Sequence, residues 1–311
     1  MNENPLVSVV VITYNSAKTV LETLDSIAAQ TYKNIELIIS DDCSKDNTVE
    51  ICKEWLLKNK MRFVHTHLIT SVKNTGTAAN VNRGIYAASG QWIKGIAGDD
   101  ALLPECIAIN VRYVNEHPDA KLVFSQIQPF GNTQYINSHF YRIFLKGYGC
   151  LQLNDRELFY LIRLGNFIPA ATSFINKALF LSLGGHDESI PLLEDWPFWI
   201  KASWHKVHFN FIPIRTVRYR MHDSSISIGT RSEAYMRSVV LAKQYALYVQ
   251  KETNILLWFF GICDQMRSSS NLFVSYFALF CKVVNPISYY IKYLRAKANR
   301  MSKPYYNDSN C

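Results

Sequence analysis

Two adjacent carboxylates close an apolar run in Trp92-Ile93-Lys94-Gly95-Ile96-Ala97-Gly98-Asp99-Asp100, and a second acidic pair, Glu194-Asp195, stands beside Trp196. A strand that stops at Asp-Asp delivers hard oxygen ligands to a sheet edge, which is where open α/β folds bind ligands. Mg²⁺ and Mn²⁺ prefer such oxygens and keep positions open for substrate phosphates. A separate carboxylate is what a proton-abstracting step needs. The two pairs together point to metal-assisted transfer from a nucleotide-linked substrate.

Other residues of the first half fit that chemistry. One apolar run ends at Thr13-Tyr14-Asn15 and the next at Ser40-Asp41-Asp42-Cys43-Ser44-Lys45-Asp46. In a parallel sheet both ends open on one edge, where a tyrosine ring stacks on a base and a carboxylate accepts hydrogen bonds from base or ribose. For Asp46 a helix-capping role explains the residue equally well, since Asn47 and Glu50 stand at capping-box spacing. Asp42 lies several residues before that helix. Asn74-Thr75-Gly76, followed by Asn80, Asn82, Arg83 and Gly84, supplies tight turns and a guanidinium able to reach a diphosphate; a plain surface loop also accounts for it. Neither G-x-G-x-x-G nor G-x-x-x-x-G-K-[ST] occurs, which removes the signatures of dinucleotide folds and P-loop enzymes.

The elements that position these residues alternate regularly. Val7–Thr13, Ile35–Ser40, Arg62–Thr66, Trp92–Ile96 and Leu122–Ser125 read as strands, the longer ones apolar enough to be buried on both faces. Ala17–Gln30, Thr48–Lys58, Ala78–Ala88 and Pro104–Glu116 carry helical spacing between them. This alternation predicts an α/β fold with a mostly parallel, helix-covered sheet. Beyond Ser125 the pattern weakens. Gly131–Gly149 reads as a substrate-facing loop, Thr172–Leu183 as an element closing on Gly184-Gly185, Trp196–Trp204 as a short helix and Val207–Tyr219 as a strand. From Glu233 to about Arg300 the spacing is helical.

A chain of 311 residues, 49% hydrophobic and 19% charged, can bury a full core and is not disordered. Its seven cysteines are odd in number and scattered, which argues against a disulfide framework or a zinc site and for a reducing compartment. The short apolar run after Met1–Pro5 fits no signal peptide. The net charge of +8 is concentrated late, with no Asp or Glu between Gln265 and Asn307. There Ile287, Tyr290, Ile291, Leu294, Ala298 and Met301 share one helical face, and Lys292, Arg295, Arg300 and Lys303 the other. That pattern suits an interfacial helix on an anionic membrane, or a helix packed on the main domain with a solvated basic face. Leu272–Val284 is apolar but too short to span a bilayer.

The ordered series Val7–Asn15, Ile38–Asp46, the Asn/Gly stretch, Gly98-Asp99-Asp100 and Glu194-Asp195 resembles the family 2 glycosyltransferases of the GT-A fold, over roughly residues 5–230. The resemblance implies a Rossmann-like catalytic region at 1–230, divided into a nucleotide-sugar half (1–125) and an acceptor half (126–230). Residues 231–311 would form a helical, basic extension associated with membrane. It implies an inverting, metal-dependent enzyme using Mn²⁺ or Mg²⁺ that moves a hexose or N-acetylhexosamine from a UDP-sugar. The acceptor would be a polyprenyl-diphosphate-linked saccharide in surface-polysaccharide (O-antigen) synthesis, at the inner face of the cell membrane, with no nucleic acid as partner. Carried over by position, Thr13, Tyr14, Asn15, Asp42, Asn74 and Arg83 line the donor site, and Asp99 lies near ribose or metal with Asp100 beside it as a metal ligand. Asp195 is the general base, Glu194 holds loop geometry or an acceptor hydroxyl, and Arg218–Ser227 is similar to the family's Arg-x-His segment, with His222 at the metal or diphosphate. The first acidic position of the family's Asp-x-Asp is Ala97 here, and the arginine expected after the Asn/Gly stretch is Val81, leaving Arg83 or Lys73 in its place. A metal-dependent nucleotidyltransferase and a degenerate, non-catalytic sugar- or membrane-binding protein are the competing readings.

Overall fold

The computed structural model describes residues 4–132, 134, 139–222, 232–253, 262, 266 and 286–307. The expected Leu272–Val284 segment, and the part of the Arg218–Ser227 motif after His222, lie outside the described residues. In chain order the elements are β1 (Val7–Thr13), α1 (Val20–Ala28), β2 (Ile35–Asp41), α2 (Thr48–Asn59), β3 (Thr66–Thr70), α3 (Thr77–Ala87), β4 (Trp92–Ala97), β5 (Ala101–Leu102) and α4 (Cys106–Glu116). Then follow β6 (Leu122–Gly131), α5 (His139–Cys150), α6 (Asp155–Ile162), β7 (Phe174–Asn176), α7 (Lys177–Ser182), α8 (Asp195–Trp204), β8 (Asn210–Met221), α9 (Glu233–Thr253) and α10 (Pro286–Asn307).

The strands form one mixed sheet of 8 in the order β3-β2-β1-β4-β7-β6-β8-β5. The first four are parallel, and the register Thr13↔Asp41 and Ile12↔Ala97 brings the ends of β1, β2 and β4 to one edge. The chain winds outward from β1 to β3 and then returns to the other side of β1. The gap between β1 and β4 is therefore the topological switch point, where such sheets open a crevice. Alternation along β1 sends Val7, Val9 and Val11 into the core under α1, α2 and α4, and Val10 into the core under α3 and α8. Strand burial on both faces is the physical reason these segments read as unbroken apolar runs. Gly84 of α3 sits so close to β1 that a Cβ there would stand 2.4 Å from Val10 Cγ1.

Three expectations are corrected and one open alternative is narrowed. The third strand begins at Thr66, because Lys60–Arg62 closes in a 3₁₀ turn and the Arg62 guanidinium donates to the carbonyls of Ala28, Gln30, Tyr32 and Lys33. The strand at Leu122 continues to Gly131. The supposed loop 131–149 holds helix α5, whose Tyr141, Phe144, Leu145 and Tyr148 are buried at helical spacing. Its Gly147 and Gly149 are demanded by packing: a Cβ would lie 2.1 Å from the Phe167 carbonyl at the first and 2.0 Å from the Ala298 carbonyl at the second. Of the two readings left open for α10, the structure shows a helix packed on the main domain. Leu294 and Ala298 are buried, α10 packs along α5 and α6, and Lys297 Nζ reaches both Glu157 oxygens at 2.8 Å. The basic face stays outside, with Lys292, Arg295, Arg300 and Lys303 exposed. Among the described residues no helix is long and apolar enough to cross a membrane.

Candidate active site

The switch-point edge carries the residues expected to line the donor site. Thr13 is buried, and its hydroxyl donates to Asp41 Oδ2 at 2.8 Å. Tyr14 is 48% exposed, its ring free to stack. Asn15 adopts φ 53°, a left-handed conformation asparagine tolerates, and its Oδ1 accepts from Lys45 N at 2.8 Å. The ends of β1 and β2 are thus tied together.

Asp42 is spent within the protein. Its Oδ2 accepts from the Thr75 and Gly76 amides at 2.9 and 2.8 Å, and its Oδ1 from the Thr75 hydroxyl at 2.6 Å and Arg83 at 3.2 Å. A carboxylate offers about four acceptor sites, so a base N–H competes with one of these. Arg83 likewise donates to Asn80 Oδ1 at 3.0 Å and the Thr75 hydroxyl at 2.7 Å, which holds its guanidinium against the Asp42 cluster. Asn74 is exposed beside them and accepts from Gly76 N at 3.2 Å. Asp46 accepts from the amides of Ala17 and Thr48, both at 3.1 Å, so it serves the start of α2; Asn47, the formal cap, makes no side-chain cap bond.

The Asp-Asp turn is fixed from two sides. Thr19, just before α1, and Thr23 within it pin its backbone, Thr19 donating to the Gly98 carbonyl at 2.7 Å and Thr23 to the Asp100 carbonyl at 2.6 Å. From β8, which pairs with β5 in the register Ala101↔Arg218, Arg220 donates its amide to Asp100 Oδ1 at 2.8 Å and its Nε to the Asp99 carbonyl at 2.7 Å. Arg218 and Arg220 both stack on Phe130, at 4.2 and 4.3 Å, and both pair with Glu22. This clamp brings His222 Nε2 to 2.9 Å from Asp99 Oδ2. Asp100 itself is buried; burial pushes its carboxyl well up, and the Asp99 charge adds to the effect. Asp99 and His222 therefore face outward while Asp100 holds β8.

The donor set suits a metal of the expected kind. It offers one carboxylate oxygen and one imidazole nitrogen, with side chains about one-third exposed (33% and 31%), and leaves further positions for phosphate oxygens and water. No closed cage of three or more His, Cys, Asp or Glu occurs among the described residues.

Asp195 opens α8. Its Oδ1 accepts from the Trp196 amide and its Oδ2 from Asn166 Nδ2, both at 2.7 Å. Burial pushes the Asp195 carboxyl up, while the bonds from Asn166 and Trp196 pull it down. Glu194 is pushed up by burial and further by the Asp195 charge. A carboxylate so raised accepts a proton more readily near neutrality. The segment before it is anchored to α3: Asn82 accepts from His186 N and donates to the His186 carbonyl, both at 2.9 Å, and Pro191 packs on Gly76. Gly76, at φ 89°, gives its amide to Asp42 and leaves no room for a side chain against Pro191, so donor pocket and base segment share one support. The connection that carries Asn166 is held in turn by Lys94, fully buried in β4, whose ammonium donates to the carbonyls of Ala171 and Ser173.

Reading the sequence missed Asn166, Lys94 and Glu22. Asn166 sits in Leu164-Gly165-Asn166-Phe167 with no motif around it; Lys94 was legible only as the one charge inside an apolar strand.

Residues 8–171 match the family model described as Glycosyl transferase family 2, more than half of the chain. An uncharacterized glycosyltransferase of Rickettsia felis is 26% identical over 231 residues; these cover 74% of this chain but only 36% of that relative. Among solved structures, Staphylococcus aureus TarS 1–349 in complex with UDP-GlcNAc superposes with a TM-score of 0.58 at 18% identity, covering 97% of this chain and 92% of that one. The mannosyltransferase PcManGT of Pyrobaculum calidifontis, in complex with GDP-Man and Mn²⁺, gives 0.57 at 14% identity, covering 96% and 86%. Both carry the fold described above.

Proposed function

The chain belongs to glycosyl transferase family 2, and from that premise we propose that it transfers a sugar, with inversion, from a UDP-sugar to a hydroxyl of an acceptor saccharide. The observation that carries this reading is the Asp99–His222 pair, joined at 2.9 Å across 123 residues at the end of β4, beside the switch point. A UDP-linked hexose or N-acetylhexosamine fits the exposed Tyr14 ring at the same edge, and TarS, a structural neighbour, is described with UDP-GlcNAc.

Asp99 and His222 would hold Mn²⁺ or Mg²⁺, and PcManGT is described with Mn²⁺. When bound, the ion supplies positive charge opposite the leaving diphosphate. The remaining work belongs to the protein. Tyr14 and the Thr13–Asn15 turn orient the nucleoside. Asp100 acts through Arg220, holding β8 so that His222 meets Asp99. Asp195 Oδ2 takes the proton of the acceptor hydroxyl as that oxygen bonds to the anomeric carbon and the bond to the UDP oxygen breaks. One displacement turns an α-linked donor into a β-linked product. Base assistance of this kind contributes about 10²–10⁴-fold, or 3–5 kcal/mol. Glu194 keeps the turn before α8 in place.

For the acceptor we favour a polyprenyl-diphosphate-linked saccharide of surface-polysaccharide synthesis, supported by the exposed basic face of α10, which suits an anionic membrane. The test is a panel of UDP-sugars with Mn²⁺ and synthetic lipid-diphosphate acceptors, following UDP release and product linkage. Asp195→Asn should lose transfer by about 10²–10⁴-fold while still binding UDP. Full turnover in that variant removes Asp195 as the base, and UDP binding without transfer to any acceptor favours the non-catalytic reading.

A further inference from the structure

A cavity of about 350 Å³ lies where α5, the connection after α6 and α10 meet. Its wall is amphiphilic. Ile143, Leu161, Leu164 and Phe167 give an apolar lining, and Lys146 and Arg295 bring two cations to it from opposite helices. Neither cation has a carboxylate partner among the described residues, whereas Lys297 on the same helix as Arg295 is bound to Glu157. Two cations without carboxylate partners at the rim of one apolar cleft make it favourable for an anion. An anion whose neighbouring atoms are hydrocarbon satisfies both halves of the wall at once.

The cavity also touches the chemistry. Asn166 is one of its lining residues, and the same amide donates to Asp195 Oδ2 at 2.7 Å. At Gly165 a Cβ would meet nothing within 4 Å, so the rim is open beside the residue that holds the base. The nucleotide of the donor belongs to the far end of β1 and β4, where Tyr14 and Asp99 lie.

We propose that this cavity is the acceptor's anchoring subsite: Lys146 and Arg295 take the diphosphate of an isoprenoid-linked acceptor, and Ile143, Leu161, Leu164 and Phe167 take its first isoprene carbons. The proposal rests on the transferase reading above and adds where the acceptor is gripped. It places the diphosphate one side chain away from Asp195, so the saccharide it carries projects toward the base. The docked position of α10 is then part of the active site, because it supplies Arg295.

The test uses the full chain and geranyl diphosphate as a soluble probe, titrated by calorimetry in the presence and absence of saturating UDP and Mn²⁺. Wild type should bind the probe equally well with UDP present, and inorganic diphosphate at least about tenfold more weakly, since it lacks hydrocarbon for the apolar wall. The Lys146→Glu/Arg295→Glu double variant should lose at least about tenfold in geranyl diphosphate affinity while binding UDP as wild type does, which also reports a folded donor site. Leu164→Asp, at the exposed rim, should weaken the probe but not inorganic diphosphate. Displacement of the probe by UDP, or equal probe binding by wild type and the double variant, overturns the proposal. Flotation on phosphatidylglycerol vesicles separates the two sources of lipid phosphate. Loss of flotation in a double variant that still binds the probe assigns the cations to the membrane and overturns the acceptor subsite. Failure of the transferase reading shows separately, as absent UDP binding with probe binding intact.

Discussion

Replacing Asn166 with alanine tests whether the carboxylate it touches is the working base. The amide donates to Asp195 Oδ2 at 2.7 Å and favours the charged carboxylate against burial, which pushes the proton on. A hydrogen bond to a charged group contributes about 1.5–3 kcal/mol. Asn166 is partly exposed, so water replaces part of that interaction and the low end applies, about 1.5 kcal/mol or one pH unit. The sign is fixed: without the donor the Asp195 carboxyl rises further and keeps its proton to higher pH. The acidic limb of the kcat profile should therefore move up by about one unit, while the rate on the plateau and the KM for UDP-sugar change little. Asn166→Asp should move the limb further still, because a second carboxylate repels the first. Initial rates of UDP release, measured across roughly pH 5 to 9, read both effects. A limb that stays in place while kcat falls at every pH would make Asn166 a packing residue only. A limb and a rate that both stay in place would refute Asp195 as the base.

Asp99→Ala and His222→Ala should each raise the Mn²⁺ concentration needed for half-maximal rate by at least about tenfold, and a chelator should stop wild-type turnover; unchanged activation curves would remove the pair as metal ligands. Gly149→Ala places a Cβ 2.0 Å from the Ala298 carbonyl, so α10 must shift, at about 1–3 kcal/mol. Faster hydrogen exchange at Leu294–Ala298 and a lower melting temperature are expected, and an unchanged exchange rate would contradict the packing. His186 is buried and held down to about 4 from an ordinary 6.5, so its ring should titrate in NMR near 4. Because the unfolded chain binds the extra proton, the contribution of neutral His186 is complete above pH 6.5 and is lost as pH falls toward 4, at most about 3 kcal/mol relative to His186→Gln. Denaturant titrations of both proteins across that window check it, and parallel pH curves would refute it.

The donor edge was legible in the sequence because its residues follow from strand ends. Three parallel strands in simple register put Ile12, Ser40 and Ala97 level with one another, so the residues just beyond each must meet. Asp99 and His222 were legible as types, but their meeting depends on the β5–β8 pairing, which no local pattern reveals. Other features were hidden by tertiary causes. Helix α5 was concealed because its Gly147 and Gly149, which look like loop residues, answer to the close approach of Phe167 and Ala298. The shifted third strand depends on Arg62 capturing four carbonyls of a distant turn. The amphipathic pattern of α10 was read correctly, but amphipathicity does not say what covers the apolar face. Here it is α5 and α6.

The two halves of the site are therefore built on different physics. On the donor side, function sits on backbone register: a change at Tyr14 or Asp99 leaves the sheet that presents them intact, since neighbouring strands, Thr19 and Thr23 hold the turn. On the acceptor side there is no register to rely on. Asp195, Asn166, Lys146 and Arg295 stand on four separate segments, joined through the packing of α10 on α5 and α6, the Lys297–Glu157 pair and the buried Lys94 anchor. Such a wall can change its chemistry by exchange of a few side chains on one helix without disturbing nucleotide binding. It can also loosen as a unit if that helix leaves. Under the proposed subsite, acceptor choice and helix docking become the same variable, whereas donor choice is independent of both.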